Sequence, residues 1–225
     1  MRRALRSLST VLIVVGALLL ADAVATLLWQ EPLSALYGHV QQGKLDDRLS
    51  AIERAPLAAV DQQALSRLDA RRRLAFAARA AARRSEPGDP LGRIRIPEIG
   101  LSEVFVEGTA AADLRLGPGH YPATPLPGQR GTVGIAGHRT TYGAPFHDID
   151  DLRPGDRIEL AMPYGRFSYR VERTRIVAPT ATQVTDPLGY DRLVLSACHP
   201  LYSAAQRIIV FARLERAEAL GPAAR

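Results

Sequence analysis

Cysteine is nearly absent from this chain of 225 residues, which contains only Cys198. One cysteine excludes an intramolecular disulfide, so the thiol is a buried small side chain, an intermolecular crosslink or a reactive nucleophile. Cys198 ends the apolar run that begins at Leu193, a turn with Pro200 follows, and Arg207 opens the next apolar run. A thiol at a strand end, with an arginine returning on the next strand, favours an enzyme over inert packing.

Lysine is equally scarce, since Lys44 is the only one and arginine supplies almost all of the positive charge. The formal net charge is +6 and the sequence pI is about 10.0, values that nucleic-acid-binding proteins often have. The arginines, however, crowd two segments ahead of the expected domain: Arg2, Arg3 and Arg6, then Arg71, Arg72, Arg73, Arg79, Arg83 and Arg84. From about residue 91 acidic and basic residues are mixed, so we expect no nucleic-acid partner.

Long hydrophobic runs are absent except at the N-terminus, between Leu8 and Trp29. At about 1.5 Å per residue this run is long enough to cross a hydrocarbon layer of roughly 30 Å, even with Asp22 inside it. We therefore expect a membrane anchor over residues 8–29, with Trp29 at the outer interface. The arginines before it predict a cytoplasmic segment at residues 1–7 and an extracellular remainder. A cleaved signal peptide is the alternative, but its apolar core is usually shorter.

Residues 30–90 have the composition of a connector. Apolar residues recur at helical spacing on both sides of Pro56, which predicts a partly helical segment without a core of its own. The arginines after Ala70 are consistent with contact to anionic membrane headgroups or wall polymer, and equally with a helix face exposed to solvent. The stretch from Ser85 to Pro90 is rich in proline, glycine and charge, and marks a domain boundary.

Short strands separated by glycine and proline dominate from about Leu91 onward. The expected strands are residues 92–97, 104–106, 131–136, 157–160, 166–177, 192–196 and 207–214. Little helix is expected in this region, and residues 145–152 are its best candidate. This pattern predicts a mainly β fold, a closed or nearly closed barrel rich in antiparallel strands.

Three side chains in this region have the chemistry of acyl transfer. Cys198 is a nucleophile, His138 carries protons near neutral pH, and Arg207 is a permanent cation able to hold an oxyanion. Gly137 precedes His138, and the residues after the histidine have the composition of an exposed loop. This arrangement is typical of a functional residue at a strand end.

These residues lie in segments that resemble the sortase family. The resemblance rests on Ile135 to Arg139, on Tyr142 to Leu152, on Leu193 to Cys198 and on Gln206 to Val210, and it covers roughly residues 91–215. It implies an eight-stranded barrel over residues 91–216, with a tail at 217–225. It also implies a cysteine transpeptidase that cuts an LPXTG-like sorting signal between Thr and Gly and attaches secreted proteins to the cell wall. The motifs around Cys198 most resemble class E, whose signals tend towards LAXTG, and class D is the alternative.

By this resemblance Cys198 is the nucleophile, His138 the acid and base, and Arg207 the oxyanion or substrate clamp. The acceptor is an amine, from a peptidoglycan precursor or a pilin lysine. The family usually has threonine before the cysteine, where this chain has Ala197, a position that borders the substrate. Tyr142 and Tyr202 are further candidates for the substrate groove.

The ordinary pKa values of these groups do not favour the reactive pair. With pKa values of about 8.5 and about 6.5, about 3% of a cysteine thiol and about a quarter of a histidine imidazole are charged at pH 7. A nearby arginine favours the thiolate and an apolar rim opposes it, so we expect slow but specific transpeptidation.

The remaining histidines and acids carry weaker interpretations. His199 is expected to be a structural or surface residue, and His120, His147 and His39 to be surface or loop residues. None of them has metal-ligand spacing, so we expect neither a catalytic metal nor a cofactor. Asp148, Asp150 and Asp151 suit a capped turn better than a calcium site.

Two rival functions remain. An L,D-transpeptidase is another wall-active cysteine enzyme, but its Ser-His-Gly-Cys type of motif does not match Ser196 to His199. An anchored β-barrel binding module with an inert cysteine is the rival that is not an enzyme. It requires a buried Cys198 with His138 far from it.

Overall fold

The computed structural model describes residues 2–28, 32–55, 65 and 68–224. Three long helices come first: α1 (Arg2–Leu28), α2 (Pro32–Arg54) and α3 (Ala70–Arg84). A one-turn helix, α4 (Ala111–Leu114), and four short 3-10 segments (Pro97–Ile99, Ile149–Asp151, Thr182–Thr185, Gly221–Ala224) lie between or after the strands. Trp29, the predicted interfacial residue, lies outside the described residues.

Eight strands form a closed barrel. They are β1 (Pro90–Ile96), β2 (Leu101–Glu107), β3 (Gly119–His120), β4 (Thr132–Ala136), β5 (Arg157–Met162), β6 (Gly165–Val177), β7 (Arg192–His199) and β8 (Gln206–Ala219). Their order around the barrel is β1-β2-β3-β4-β7-β8-β6-β5. The β2–β3 and β4–β7 pairs are parallel and the others are antiparallel. The predicted mainly β barrel is therefore confirmed.

Side-chain alternation along β7 decides which residues face the core. Leu193, Leu195 and Ala197 belong to the large cluster inside the barrel, whereas Val194 belongs to a separate outer cluster. Cys198 lies four residues after Val194, so its side chain faces outward as well. The nucleophile candidate therefore lies on the outer surface of the barrel wall, not in its interior.

Helix α2 packs along the outside of β1 and β2. Leu45 and Leu49 are buried against Val104 and Val106, which the alternation of β2 directs outward. The connector thus shares an apolar cluster with the barrel, which its sequence pattern did not predict. We attribute this to a narrow apolar stripe on a helix that is otherwise polar.

Helix α3 covers the barrel near the β5–β6 turn. Asp69 caps its N-terminus by accepting a hydrogen bond of 2.9 Å from the Arg72 amide. Leu74 is buried in the barrel cluster. A Cβ at position 165 would lie 2.7 Å from a Leu74 methyl group, so Gly165 allows the helix to approach this closely. Nearby, a cavity of about 520 Å³ opens between α2, α3 and the start of β1, and its lining includes neither Cys198 nor His138.

The C-terminal end of the barrel extends past the expected domain boundary at residue 216. Strand β8 continues to Ala219, which pairs with Gly165, because the β6–β8 ladder is longer than the apolar run of the sequence indicates. Ala223 is 1% exposed and packs in the same core cluster. The expected tail therefore includes residues that belong to the barrel.

Strand β3 and its histidine differ from the sequence interpretation. His120, expected at the surface, is 2% exposed. Its Nδ1 lies 2.9 Å from a Glu107 carboxylate oxygen and its Nε2 lies 3.1 Å from the Thr124 hydroxyl. Two residues of strand carry no readable alternation, so partners distant in sequence decide this burial. The helix expected over residues 145–152 is a single 3-10 turn, Ile149–Asp151.

Helix α1 stands apart from the barrel. Its segment Arg6–Val24 has a mean hydropathy of 2.2, and none of it is buried inside the protein. Among the described residues it is the one helix long and apolar enough to cross a membrane.

Candidate active site

The sheet brings the three candidate catalytic residues into one row. Cys198 of β7 is the direct ladder partner of Arg207 of β8. On the other side of β7, Ala136 of β4 pairs with Ser196, and the Gly137 amide donates to the Ser196 carbonyl at 3.0 Å. His138 is the next residue, two positions beyond the end of β4, and continuing the parallel register sets it level with Cys198. The ends of three neighbouring strands therefore bring a thiol, an imidazole and a guanidinium to one end of the barrel.

Cys198 is half-buried and has no disulfide partner. Its ladder partner Arg207 is also half-buried, and one guanidinium nitrogen donates to the carbonyls of Ala204 and Gln206 at 3.0 and 2.9 Å. These carbonyls belong to the turn between β7 and β8 and to the first residue of β8. The turn therefore holds the guanidinium at the strand end where the thiol lies.

The backbone around His138 is shaped by a close aromatic contact. A Cβ at Gly137 would lie 2.5 Å from the Phe146 ring, so a side chain there would displace the ring or the strand end. The Phe146 amide donates to the His138 carbonyl at 2.9 Å. The buried Phe146 thus fixes the point at which the chain leaves β4, and with it the position of the imidazole.

The environment of His138 opposes its protonation. Burial lowers the pKa of the imidazole below its ordinary 6.5, and the positive charge of Arg115 lowers it further. The imidazole is therefore mainly neutral at pH 7. A neutral imidazole can accept the thiol proton, and becomes an acid only after that transfer.

Tyr142 closes the site on the side of α2. Its ring centroid lies 5.3 Å from that of His138 and 6.0 Å from that of Tyr37 in α2, and its amide donates to the Ser34 hydroxyl at 3.2 Å. Its φ is +52°, an unusual value for a residue with a side chain. The predicted groove residue Tyr142 is thus beside the imidazole and held by the N-terminal half of α2.

The other two predicted substrate contacts differ from each other. Tyr202 lies in the turn between β7 and β8, is 60% exposed and also has a positive φ, of +61°. Ala197 is 2% exposed and its methyl group packs in the core cluster, because alternation along β7 turns it inward. Any contact between Ala197 and a substrate must therefore come from its backbone.

The sequence analysis missed the role of Arg139, which follows His138. Its side chain is 2% exposed and donates to the His147 carbonyl at 3.0 and 3.2 Å, to Asp150 at 2.7 Å and to Nδ1 of His199 at 3.3 Å. In return, Nδ1 of His147 donates to the Arg139 carbonyl at 2.7 Å. This network ties the loop after β4 to the residue that follows Cys198. Its only sequence signal is an arginine next to the histidine.

A second unpredicted group is the carboxyl of Glu103 on β2. Burial raises its pKa to about 7, so near neutral pH it is protonated in a large fraction of molecules. It lies near Gly143, where a Cβ would be 3.9 Å from a carboxyl oxygen. Its sequence context, between Ser102 and Val104, gives no sign of this environment.

No group of three or more potential metal ligands occurs among the residues that the structure describes. Asp150, one of the three clustered acidic residues near the turn, pairs with Arg139. The chemistry of the row itself is nucleophilic: a thiol to attack a carbonyl, a base to take its proton, and a cation for the developing oxyanion.

Comparisons with known proteins agree with this chemistry. The family model described as Sortase domain matches residues 94–215. Sortase D of Bacillus subtilis is 33% identical over 57% of this chain and 65% of that protein. Sortase SrtE1 of Streptomyces coelicolor is 30% identical over 57% of this chain and 41% of that protein. A solved structure of sortase E from Streptomyces avermitilis is 34% identical, with a TM-score of 0.55, over 62% of this chain and 99% of that chain. The chain spans less than two thirds of both curated relatives.

Proposed function

This chain belongs to the sortase family, and from that premise we propose that it is a membrane-anchored cysteine transpeptidase. The observation that carries the proposal is the row of His138, Cys198 and Arg207, which lie just after β4, at the end of β7 and at the start of β8. Cys198 and Arg207 pair directly in the β7–β8 ladder, so the backbone hydrogen bonds between these strands fix their relative position.

The proposed reaction has two steps. The Cys198 sulfur attacks the threonine carbonyl of a sorting signal while His138 takes the thiol proton, and Arg207 stabilises the oxyanion that forms. The bond from threonine to glycine breaks, the protonated His138 gives its proton to the leaving amine, and a thioester remains. A second amine then attacks the thioester and loses a proton, which forms a new amide and restores the thiol.

The lowered pKa of His138 makes its imidazole a base at the start of this reaction. At pH 7 the imidazole is mainly neutral, so the thiolate–imidazolium pair is a minority form. Acylation therefore begins with proton transfer from thiol to imidazole, and this favours slow turnover whose specificity comes from the binding of the signal.

The proposed substrates are secreted proteins with an LPXTG-like signal, LAXTG above all, as expected of class E. A class D-like enzyme with another signal is the second candidate, and the identity to sortase D of Bacillus subtilis supports it. The proposed acceptor is an amine of a peptidoglycan precursor or a pilin lysine. With α1 in the membrane and the N-terminal arginines in the cytoplasm, the barrel would lie outside the cell.

The proposal is tested with the full chain in detergent, since α2 and α3 pack on the barrel. The chain is incubated with LAXTG or LPXTG peptides and triglycine, and products are identified by mass spectrometry. We expect a transpeptidation product with at least one peptide, absent from Cys198→Ala and reduced at least a hundredfold in His138→Ala. The ratio of the two products ranks the two signals.

Two outcomes separate the rival interpretations. If neither peptide gives product or thioester, Ala197→Thr tests whether the missing threonine has removed the activity. If this variant is also inactive, the binding-module interpretation predicts that a maleimide labels Cys198 only after denaturation. Labelling of the folded chain would instead direct the search to another signal or acceptor.

A further inference from the structure

Helix α2 runs along the barrel from the active-site end to the opposite end. Near its start, Ser34 accepts from the Tyr142 amide and Tyr37 packs on the Tyr142 ring. Near its end, Ile52 and Ala55 line the cavity beside Pro163, in the β5–β6 turn. Its 23 residues span about 34 Å. The two ends of this helix therefore mark the two ends of the barrel.

The N-terminal half of α2 is fixed to the barrel by polar contacts as well as by packing. The Gln42 amide group donates to the carbonyls of Val104 and Leu116, both at 2.9 Å, and accepts from the Val104 amide at 2.8 Å. A Cβ at Gly38 would lie 2.8 Å from the Tyr142 carbonyl carbon, so helix and loop are in close contact. Lifting this part of α2 away would leave several backbone groups without partners.

The chain between α1 and α2 is too short to separate them widely. From Leu28 to Pro32 there are four Cα steps, which reach at most about 14 Å. Ser34 is in the first turn of α2, and Tyr142 is in contact with both Ser34 and His138. The imidazole of His138 is therefore within about 35 Å of Leu28 for any orientation of α1.

We propose that the end of the barrel with His138 and Cys198 is its membrane-facing end. The inference rests on the proposed membrane anchoring by α1. The opposite end, where β7 begins, lies about 20 Å from Cys198 along that strand, so the short tether limits the site end more tightly.

The test measures which end of the barrel reaches the lipid. In a Cys198→Ala background, one reporter cysteine is placed at the site end, Gln206→Cys, and a matched one at the other end, Gly189→Cys. Both positions are exposed, and a Cβ at Gly189 meets no atom within 4 Å. The full-length variants are reconstituted in phosphatidylcholine and phosphatidylglycerol vesicles that contain a lipid with a maleimide on a short headgroup spacer. Each rate is divided by the rate with a free aqueous maleimide.

With the short spacer, we expect the normalised labelling rate of Gln206→Cys to exceed that of Gly189→Cys at least tenfold. With a long polyethylene glycol spacer, the two rates should become similar. Inserting 20 Gly and Ser residues after residue 30 adds about 25 Å of reach and should reduce the ratio several-fold. Equal or reversed rates would overturn the inference, as would a ratio unchanged by the insertion or a chain that does not float with vesicles.

Peptide transpeptidation by the unmodified chain in the same vesicles separates this inference from the proposed function. Product formation without the labelling preference would refute the membrane-facing orientation alone. The labelling preference without product would refute the proposed activity alone, because labelling needs no catalysis.

Discussion

Cys198 and Arg207 are direct partners in the β7–β8 ladder, and the guanidinium of Arg207 is held by the carbonyls of Ala204 and Gln206. Ladder partners in an antiparallel sheet have Cβ atoms roughly 5 Å apart, on the same face. Backbone pairing therefore sets the base of the Arg207 side chain beside that of Cys198, and the adjoining turn orients the guanidinium. These two hydrogen bonds use one guanidinium nitrogen of Arg207, so the other N–H groups can donate to a substrate oxyanion.

Replacing Arg207 tests this arrangement. We expect Arg207→Ala to lower kcat/KM for acylation by about 10²- to 10³-fold, because the oxyanion loses its charged donor. Arg207→Lys should recover only part of this loss, since an ammonium lacks the planar fork that serves turn and substrate together. The control is Arg175→Ala, an exposed arginine on β6. Undiminished acylation in Arg207→Ala would contradict the assigned role.

Replacing Arg139 tests whether its buried network positions the site. Arg139→Gln leaves His147, Asp150 and His199 without their common donor, so we expect a loss of about 2–4 kcal/mol in the free energy of unfolding by urea. The variant that remains folded should show a lower kcat with little change in KM, because residues on both sides of the site lose their alignment. Asp150→Asn, which removes only the half-exposed partner, should cost about 1 kcal/mol or less. Equal effects of the two variants would show that the ion pair, not the network, matters.

The pKa of His138 depends on Arg115. We expect NMR titration to give a pKa below 6.5 in the native chain and a higher value in Arg115→Gln, because one nearby positive charge is removed while burial remains. Since the folded-state pKa is lowered, stability should fall as the pH drops below 6.5, and less steeply in the variant. Arg130→Gln, a change at an exposed arginine away from the site, is the control. An unchanged pKa in Arg115→Gln would contradict this coupling.

The buried carboxyl of Glu103 predicts a pH-dependent stability. Its pKa is raised from 4.5 to about 7, so the folded state keeps a proton that the unfolded state releases. The contribution is complete below about pH 4.5 and is lost as the pH rises through about 7. Glu103→Gln should therefore be more stable than the native chain by about 1–3 kcal/mol at pH 8, with no gain near pH 4.5.

The control for this variant is Glu53→Gln, a change at an exposed carboxyl of α2, which should alter stability little at either pH. Urea denaturation at the two pH values measures both variants. A gain that is the same at pH 4.5 and pH 8 would show that the effect of Glu103→Gln is packing and not ionisation.

The barrel and the row of three residues were predictable because their signals are local. Each long strand carries alternating or continuous apolar residues, and the motifs around His138, Cys198 and Arg207 lie at strand ends that the sequence marks with glycine and proline. The row also needs β4 to be the neighbour of β7, which the residues alone do not show and the family resemblance implies.

The misinterpreted residues depend on contacts between segments far apart in sequence. His120 is buried because β3, of two residues, lies between β2 and β4, and Glu103 is buried where β2 meets the loop after His138. Arg139 takes its importance from partners at positions 147, 150 and 199. No window along the chain contains these relationships, so periodicity cannot reveal them.

Intact-mass spectrometry of the full chain after incubation with a sorting-signal peptide tests the central assignment most directly. We predict one covalent adduct with the mass of the peptide fragment up to its threonine, mapped to Cys198, released by hydroxylamine and absent from Cys198→Ala. The adduct should accumulate when no amine is added and disappear when triglycine is supplied. A product formed without this adduct, or an adduct that persists in Cys198→Ala, would contradict the role of Cys198 as the nucleophile.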